Sequence, residues 1–457
     1  MRWDFSDLPL KDTAFSGRPM TFIDQEPKNF LAAMMDVIAI ETGNRTAREH
    51  WQQTQIDNLL SYAGRKSAFW RQRFATSSLR AANLDKLPIL TRADVRRQVE
   101  MEGSLLAGER IKTIRHSTSG SSGTPIEFFI SQMNMEYIDV RSAAQFFIEG
   151  RDLTLNSTRL RPEPKAGKGK HGFTVQIKND ALGSLARFMQ GGKQKFIEYF
   201  HPDISALCEE LEKDSIGYLI VHPHLLDTML QSIEIEFFKR AGTAMLVPVA
   251  GAMDPLLRHA FVSAGIPVRG TYSSEEVGLI GFECAENPAA YHVATSNVFV
   301  EVIADTAIAS LNPDAGRILV THLHSYATPF IRYDLGDVGT LRKFCSCGHD
   351  GPVLANVYGR TKALLKHSDG RISIFFPRGK ELAAIAKFDE FRIRQTDLNK
   401  IVLELGGRDT LTDDERSALV RLIRQHAGDE FAVEVVAVAA IDWGNSGKRL
   451  GYFSEVL

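Results

Sequence analysis

Between residues 204 and 270, short continuous apolar runs alternate with amphipathic ones: "DISALCEELEK", "GYLIV", "HLLDTMLQSIEIEFFKRA", "AMLVPVA", "DPLLRHAFVSAG" and "IPVRG". Uninterrupted apolar strands between amphipathic helices predict a parallel sheet covered on both faces. Upstream, Ile56, Leu59, Leu60 and Ala63 recur at helical spacing, and a second helix is expected after Thr91, whose hydroxyl can take up an orphan amide donor. Tyr137, Val140, Ala144 and Phe147 mark another helical face, whereas residues 1 to 50 read as polar and irregular. Beyond residue 290 the pattern becomes strands joined by turns ("NVFVEVIA", "GRILVTHL", "VGTLRKF"), which predicts a smaller antiparallel subdomain. The last hundred residues give a β, α, β order, as in a small α+β module, and the Lys- and Gly-rich stretch 161 to 172 reads as a solvated loop.

The fold class expected is therefore α/β: a large amino-terminal domain with doubly wound sheets and a small antiparallel β subdomain, then a small carboxy-terminal α+β domain. The boundary is placed at "YGRTK", giving 1–358 and 359–457. A length of 457 residues suits more than one domain. The net charge of −2 provides no field that would select nucleic acid or a membrane as partner. No cationic start leads into an apolar core, and no apolar run reaches the roughly 18 residues of a membrane span, so a cytoplasmic enzyme of small molecules is expected. Four cysteines in such a chain do not make a disulfide framework.

One stretch stands apart. Ser117 to Thr124 contains only serine, threonine and glycine, between the β-favouring runs "IKTIRHS" and "IEFFIS". Composition alone would make it a flexible linker. Strand-like borders within a few residues instead make it a tight turn, whose successive N–H groups and hydroxyls form a concave anion site. The Gly-x4-Gly-Lys-Ser/Thr spacing of the Walker loop is absent both here and in "GKGKHG".

Four later motifs join it: "TYSSEEVG" (271 to 278), "TPFIRYDLGDVG" (328 to 339), "VYGRTKALLK" (357 to 366) and "NSGKRLG" (445 to 451). With "TSGSSGTP" (118 to 125), and in this order, they resemble the motifs of the adenylate-forming superfamily, within it the phenylacetate–CoA ligase-like branch, from about residue 55 onward. The resemblance implies a two-step reaction. A carboxylate attacks the α-phosphate of ATP, giving an acyl adenylate and pyrophosphate, and a thiol, usually that of coenzyme A, then displaces AMP. Two anions must meet in the first step, so donors and cations have to offset the charge that builds at phosphorus.

By this resemblance Ser119, Gly120, Ser121, Ser122, Gly123 and Thr124 hold the ATP phosphates, and Tyr272 and Ser273 belong to the adenine-binding motif. Glu276 holds Mg²⁺, a hard cation that wants oxygen ligands. Asp337 accepts from the ribose hydroxyls, with Arg332 as its structural salt partner, and Arg360 reaches the ribose or α-phosphate. Lys362 is the hinge of a mobile carboxy-terminal domain, and Lys448 bridges the attacking carboxylate and the α-phosphate. Without the resemblance, Tyr272 reads as an ordinary core aromatic, the Glu275 and Glu276 pair as a solvated turn, and Lys448 as a surface lysine. Three departures from the family stand out. No lysine follows the phosphate turn, Glu275 replaces a frequent threonine, and Ala363 replaces a frequent acid after the hinge.

Cys284 and His292 together with the C-x-C pair Cys345 and Cys347 could complete a tetrahedral Cys3His zinc site, with His349 as a competing ligand. Some members of the resembling branch hold a structural zinc at such a pattern. Cys208 falls on an apolar helical stripe and reads as core. The acyl pocket implied by the resemblance is lined by Tyr137, Phe147, His222, His224, Ala250 and Gly251; the two histidines depart from the small hydroxyl residues of arylacetate-using relatives, and otherwise read as core or turn residues. The function expected is an aryl or related acid–CoA ligase using ATP, Mg²⁺ and coenzyme A. One alternative transfers the acyl group to a carrier-protein thiol or an amine; another is a non-catalytic nucleotide-binding module. A homodimer is compatible with all three.

Overall fold

A computed structural model describes residues 25–74, 81–118, 125–163, 166–167, 169–178, 182, 185–186, 188–251, 253–375, 377–443 and 451–456. The first correction lies at the amino-terminal side. Gln25–Thr42 is a helix, and Arg45–Lys66 a second one, capped by Asn44 Oδ1 accepting from the Thr46 amide at 2.8 Å. The missed signal is Phe30, Leu31, Met34, Val37 and Ile38, spaced three and four apart, which pack on Val140, Ala144 and Phe147 of the helix Gln132–Ile148. The second helix buries Ile56, Leu59, Leu60 and Ala63, as their spacing predicts.

A five-stranded sheet has the order Phe173–Lys178, Gln194–Tyr199, Ser157–Pro162, Gly217–Val221, Thr243–Pro248; the last four are parallel and the first is an antiparallel edge. Its core joins Leu160, Ile197, Leu219 and Leu246 to Leu207, Leu226, Phe238 and Phe261 from the helices. Strand Ser157–Pro162 takes up the start of the stretch read as a solvated loop. The single long helix expected from His224 divides into Pro223–Met229 and Glu236–Arg240 around β-branched Ile233 and Ile235. "IPVRG" contributes only one bridge, Val268 to Leu246, because Pro267 has no amide to give.

The antiparallel part is larger than the sequence texture suggests. Seven strands pair in the order Val298–Ala304, Gly316–His322, Tyr333–Arg342, Val353–Arg360, Tyr291–Val293, Gly278–Glu283, Thr271–Ser274, every neighbouring pair antiparallel. Thr113–Ser117 and Glu127–Ser131 form the expected strand pair on either side of the hydroxyl-rich stretch. Near the carboxy terminus a four-stranded sheet, Ala432–Val438, Lys400–Gly406, Glu390–Asp397 and Tyr452–Ser454, packs with the helix Asp413–Ala427 around a core of its own. That helix starts on a reciprocal cap between Thr412 and Glu415.

The first helix is fastened to the seven-stranded sheet by one carboxylate. Glu41, 2% exposed, accepts from the amide and hydroxyl of Thr295 at 3.2 and 2.9 Å and from those of Ser296 at 2.9 and 2.5 Å. Removing it strands four buried donors. Glu41→Ala is expected to destabilise the fold by about 3 kcal/mol or more, read as a lowered urea midpoint at unchanged slope; a shift under about 1 kcal/mol would contradict this account.

Candidate functional site

The motifs "TYSSEEVG", "RYDLGD" and "YGR" converge on the seven-stranded sheet. Asp337 and Arg360 are direct partners in the antiparallel register, and Arg360 Nε lies 3.1 Å from Asp337 Oδ1. The other oxygen, Oδ2, accepts from the Tyr272 hydroxyl at 2.6 Å. Gly336, within the strand, takes φ +75°, which glycine adopts freely, just before this pair; its amide donates to Asp334 Oδ1 at 2.8 Å. Arg360 also donates to the Leu335 carbonyl at 2.5 Å, and the Thr361 hydroxyl to that of Gly336 at 3.1 Å. Burial raises the Asp337 carboxyl above its usual range, against the pull of Arg360 and Tyr272. Burial and the Asp337 charge also raise the Tyr272 phenol, which keeps it a donor.

Glu276, on the turn after Thr271–Ser274, is 6% exposed. Its Oε1 accepts from the Tyr333 hydroxyl at 3.0 Å and from Arg92 Nη1 at 3.2 Å. Arg92 Nη2 donates to the Thr118 hydroxyl at 3.0 Å, and that hydroxyl accepts the Ile126 amide at 3.1 Å. Burial and the Glu276 charge push the Tyr333 phenol well above its usual range. The arrangement fits a cation at Glu276, since both bonds fall on one oxygen. Ser273 and Glu275 are exposed, as is Lys362, which lies on the short turn Thr361–Ala363. Ser119 to Thr124 and Lys448 lie outside the described residues.

Four of the six acyl-pocket candidates gather at the carboxyl ends of two neighbouring parallel strands. His222 precedes the helix Pro223–Met229, with His224 in its first turn. The Val249 amide ties the Ala250 turn to the Val221 carbonyl at 3.1 Å, and a β-carbon on Gly251 would lie 3.8 Å from Pro223 Cδ. Ligand crevices of parallel sheets form at such strand ends. The other two lie elsewhere: Tyr137 donates to the Ser296 carbonyl at 3.1 Å with its ring 4.0 Å from that of His324, and Phe147 is in the helical core beside Met34 and Val37.

The four predicted metal donors do converge. Cys284 Sγ, His292 Nε2 and the Cys345 and Cys347 sulfurs belong to one group whose ligand atoms all lie within 4.8 Å of one another. Bonds of about 2.3 Å to sulfur and about 2.0 Å to nitrogen give tetrahedral edges of about 3.8 Å between sulfurs and about 3.5 Å from sulfur to nitrogen. The Cys284 to Cys345 and Cys347 to His292 separations are 3.7 and 3.4 Å. Burial lowers the His292 imidazole to about 4, so it is neutral, as a ligand must be. Burial opposes the Cys284 thiolate, but the amides of Glu286 and Asn287 and the Asn287 side chain bring its pKa below the usual thiol value. His349 stacks on His292 at 4.1 Å and stands outside the group. Cys208 is in the core, its thiol pushed up to about 11 by burial.

No protein-family model matches the chain. Among curated proteins it is 22% identical over 298 residues to Protein CapK of Staphylococcus aureus; the match covers 63% of this chain and 61% of the length of that relative. Among solved structures, 2-hydroxyisobutyryl-CoA ligase in its postadenylation state, bound to an acyl adenylate, superposes with a TM-score of 0.65 at 17% identity, over 91% of each chain. The acyl acid amido synthetase AtGH3.15 gives a TM-score of 0.53 at 13% identity, over 91% of this chain and 90% of that one. The fold is that of the adenylate-forming enzymes.

On this shared fold, two residues at the site escaped the reading of the sequence. Tyr333 could have been found, as it sits inside the "RYDLGD" motif. Arg92 could not, because 184 residues separate it from Glu276 and its neighbours announce only a helix start. Arg332 needs a correction. It pairs with Glu301, Nη2 to Oε1 at 3.0 Å, whereas the partner of Asp337 is Arg360. The register explains this, since alternate residues of a strand face opposite sides and Arg332 precedes the strand at φ +52°. For Tyr272→Phe, which leaves Asp337 Oδ2 without its donor, a loss of about 1 to 3 kcal/mol in urea unfolding is expected. No change would mean that the bond adds nothing to the folded state.

Proposed function

We propose that this chain is an ATP-dependent, AMP-forming ligase that activates a carboxylic acid as its adenylate and transfers the acyl group to a thiol. Coenzyme A is the first choice of acceptor and an aryl or related acid the first choice of substrate. The observation that carries the reading is the convergence of Tyr272, Asp337, Arg360 and Glu276, four residues from three distant motifs, on the seven-stranded sheet, where the Tyr272 hydroxyl on the edge strand reaches Asp337 on an interior one. Asp337 offers a buried carboxylate for two ribose hydroxyls, a task for which carboxylate geometry is suited. Tyr272 offers an aromatic face beside it, and Arg360 a cation within reach of the α-phosphate. Glu276 would hold Mg²⁺ against the phosphates. One carboxylate oxygen of the acid bonds to the α-phosphorus while the bond to pyrophosphate breaks; Lys448 offsets the charge on both partners. Residues 1–358, with Gly359 and Arg360 kept on Val338 and Asp337 by strand register, then form the body, and the rest of 359–457 turns about Lys362 between the two half-reactions. Arg378 Nε, beyond that hinge, lies 3.0 Å from Asp254 Oδ2, an ion pair that such a turn would have to break.

An amine or carrier-protein acceptor is favoured by one observation, the absence of an acid after Lys362, where Ala363 stands. Pyrophosphate exchange into ATP across a panel of aromatic and aliphatic acids separates the readings. Exchange with coenzyme A consumption supports the ligase; exchange without it supports the other acceptors; no exchange with any acid supports a non-catalytic module. Lys448→Ala is expected to lose adenylation by about a hundredfold or more while still converting a supplied acyl adenylate. Lys362→Ala should show the opposite sensitivity, and equal losses in both half-reactions would contradict the assigned roles.

The Cys284, His292, Cys345 and Cys347 group is proposed to hold a structural zinc, which would tie the strands of the sheet to the turn at residues 345 to 348. Metal analysis of freshly purified protein should find about one zinc per chain, lost in Cys345→Ser with a lowered melting temperature. Less than about half a zinc per chain removes the site.

A further inference from the structure

Ser119 to Thr124, and the Pro125 and Ile126 that follow, contain no cation. A polyphosphate bound next to Thr118 would therefore find no positive charge among residues 119 to 126. The structure brings one from elsewhere. Arg92 is the first residue of the helix Arg92–Glu102, a place where the helix dipole favours acids over bases. Its guanidinium is turned to Glu276 and Thr118, 3.2 and 3.0 Å away, with its side chain 25% exposed and that of Glu276 5%. A guanidinium has five donors, and these two bonds use two. We propose that Arg92 is a phosphate-binding residue of this site, pairing with the terminal phosphates of ATP while Glu276 holds the cation.

The proposal rests on the nucleotide reading above and deepens it. The Arg92 and Tyr333 bonds both fall on Glu276 Oε1, so a divalent ion held at Oε2 would leave the guanidinium in place beside the anion that accompanies it. The planar fork suits two phosphate oxygens at once. Thr118 fixes the other end of the fork, itself anchored by the Thr118 amide on the Ile126 carbonyl at 3.0 Å. Arg92 would thus recognise the β- and γ-phosphates and ignore AMP, whose ribose falls to Asp337 and Arg360.

Calorimetric titration of the full chain with ATP, pyrophosphate and AMP, each with Mg²⁺, tests this. In Arg92→Gln, which keeps an amide for Thr118 but no charge, affinity for ATP and pyrophosphate is expected to fall by about tenfold or more, with AMP unchanged within about twofold. Equal weakening of ATP and AMP would mark Arg92 as merely structural and overturn the assignment, as would ATP affinity retained within about twofold. Where Arg92→Gln does not fold, the ATP-to-AMP affinity ratio of Arg92→Lys decides: a fall of about threefold supports the fork, and an unchanged ratio overturns it. A wild-type chain that binds neither ATP nor AMP sinks the nucleotide reading and Arg92 with it. Binding by the wild type with no selectivity change in the variants sinks Arg92 alone.

Discussion

A bridge of one residue pair holds the candidate site together. Leu90 pairs in parallel with Tyr333; its amide donates to the Arg332 carbonyl at 3.0 Å, and its own carbonyl accepts the Asp334 amide at 2.9 Å. Arg332 secures the bridge from below. It sits at φ +52°, a costly conformation for a non-glycine residue, and persists because its surroundings over-determine it. Its amide donates to the Thr321 hydroxyl at 3.0 Å, and its guanidinium binds Glu301 and the Asp85 and Leu87 carbonyls. The segment before the helix Arg92–Glu102 is thereby fixed against the strand that carries Tyr333, and Arg92 and Tyr333 arrive at the same carboxylate oxygen.

The antiparallel sheet explains why distant motifs meet. Register pairing sets Asp337 opposite Arg360, and the pairing of Tyr272 with Gly281 puts the aromatic ring at the sheet's far edge. The Tyr272 to Asp337 bond closes the gap between them at 2.6 Å. Such a buried charge is stable only while paired, so each partner constrains the other two. The parallel sheet does a different task. Its strand ends present the Ala250 turn and His222, while amphipathic helices bury its core. The Cys and His group lies at the other end of the antiparallel strands, where Cys284 directly follows Gly278–Glu283. Asn287 donates to Cys345 Sγ at 3.2 Å and to Cys284 Sγ at 3.6 Å, which orients both sulfurs.

Much of this was legible in the chain. The alternation between 204 and 270 announced a parallel sheet, since continuous apolar runs are stable only where helices cover them. The carboxy-terminal β, α, β order was equally plain, helped by the Thr412 cap. The Gln25–Thr42 helix was readable too, because Phe30, Met34 and Val37 keep helical spacing within a polar stretch. What hid it was mean composition, which dilutes a narrow apolar stripe.

Each motif carries its residue chemistry in the chain: a tyrosine and a glutamate in one, an aspartate in the next, an arginine and a lysine two residues apart in the third, and four soft or borderline metal donors in two pairs. Local rules see only neighbours within a few positions, so they could set caps, stripes and turns. Which charge faces which was decided only in three dimensions. Strand register gave Asp337 to Arg360 and left Arg332 to Glu301, and a single backbone bridge brought Arg92 across 184 residues to Glu276. No periodicity encodes such pairings, because they depend on how sheet edges and helix starts are stacked by burial.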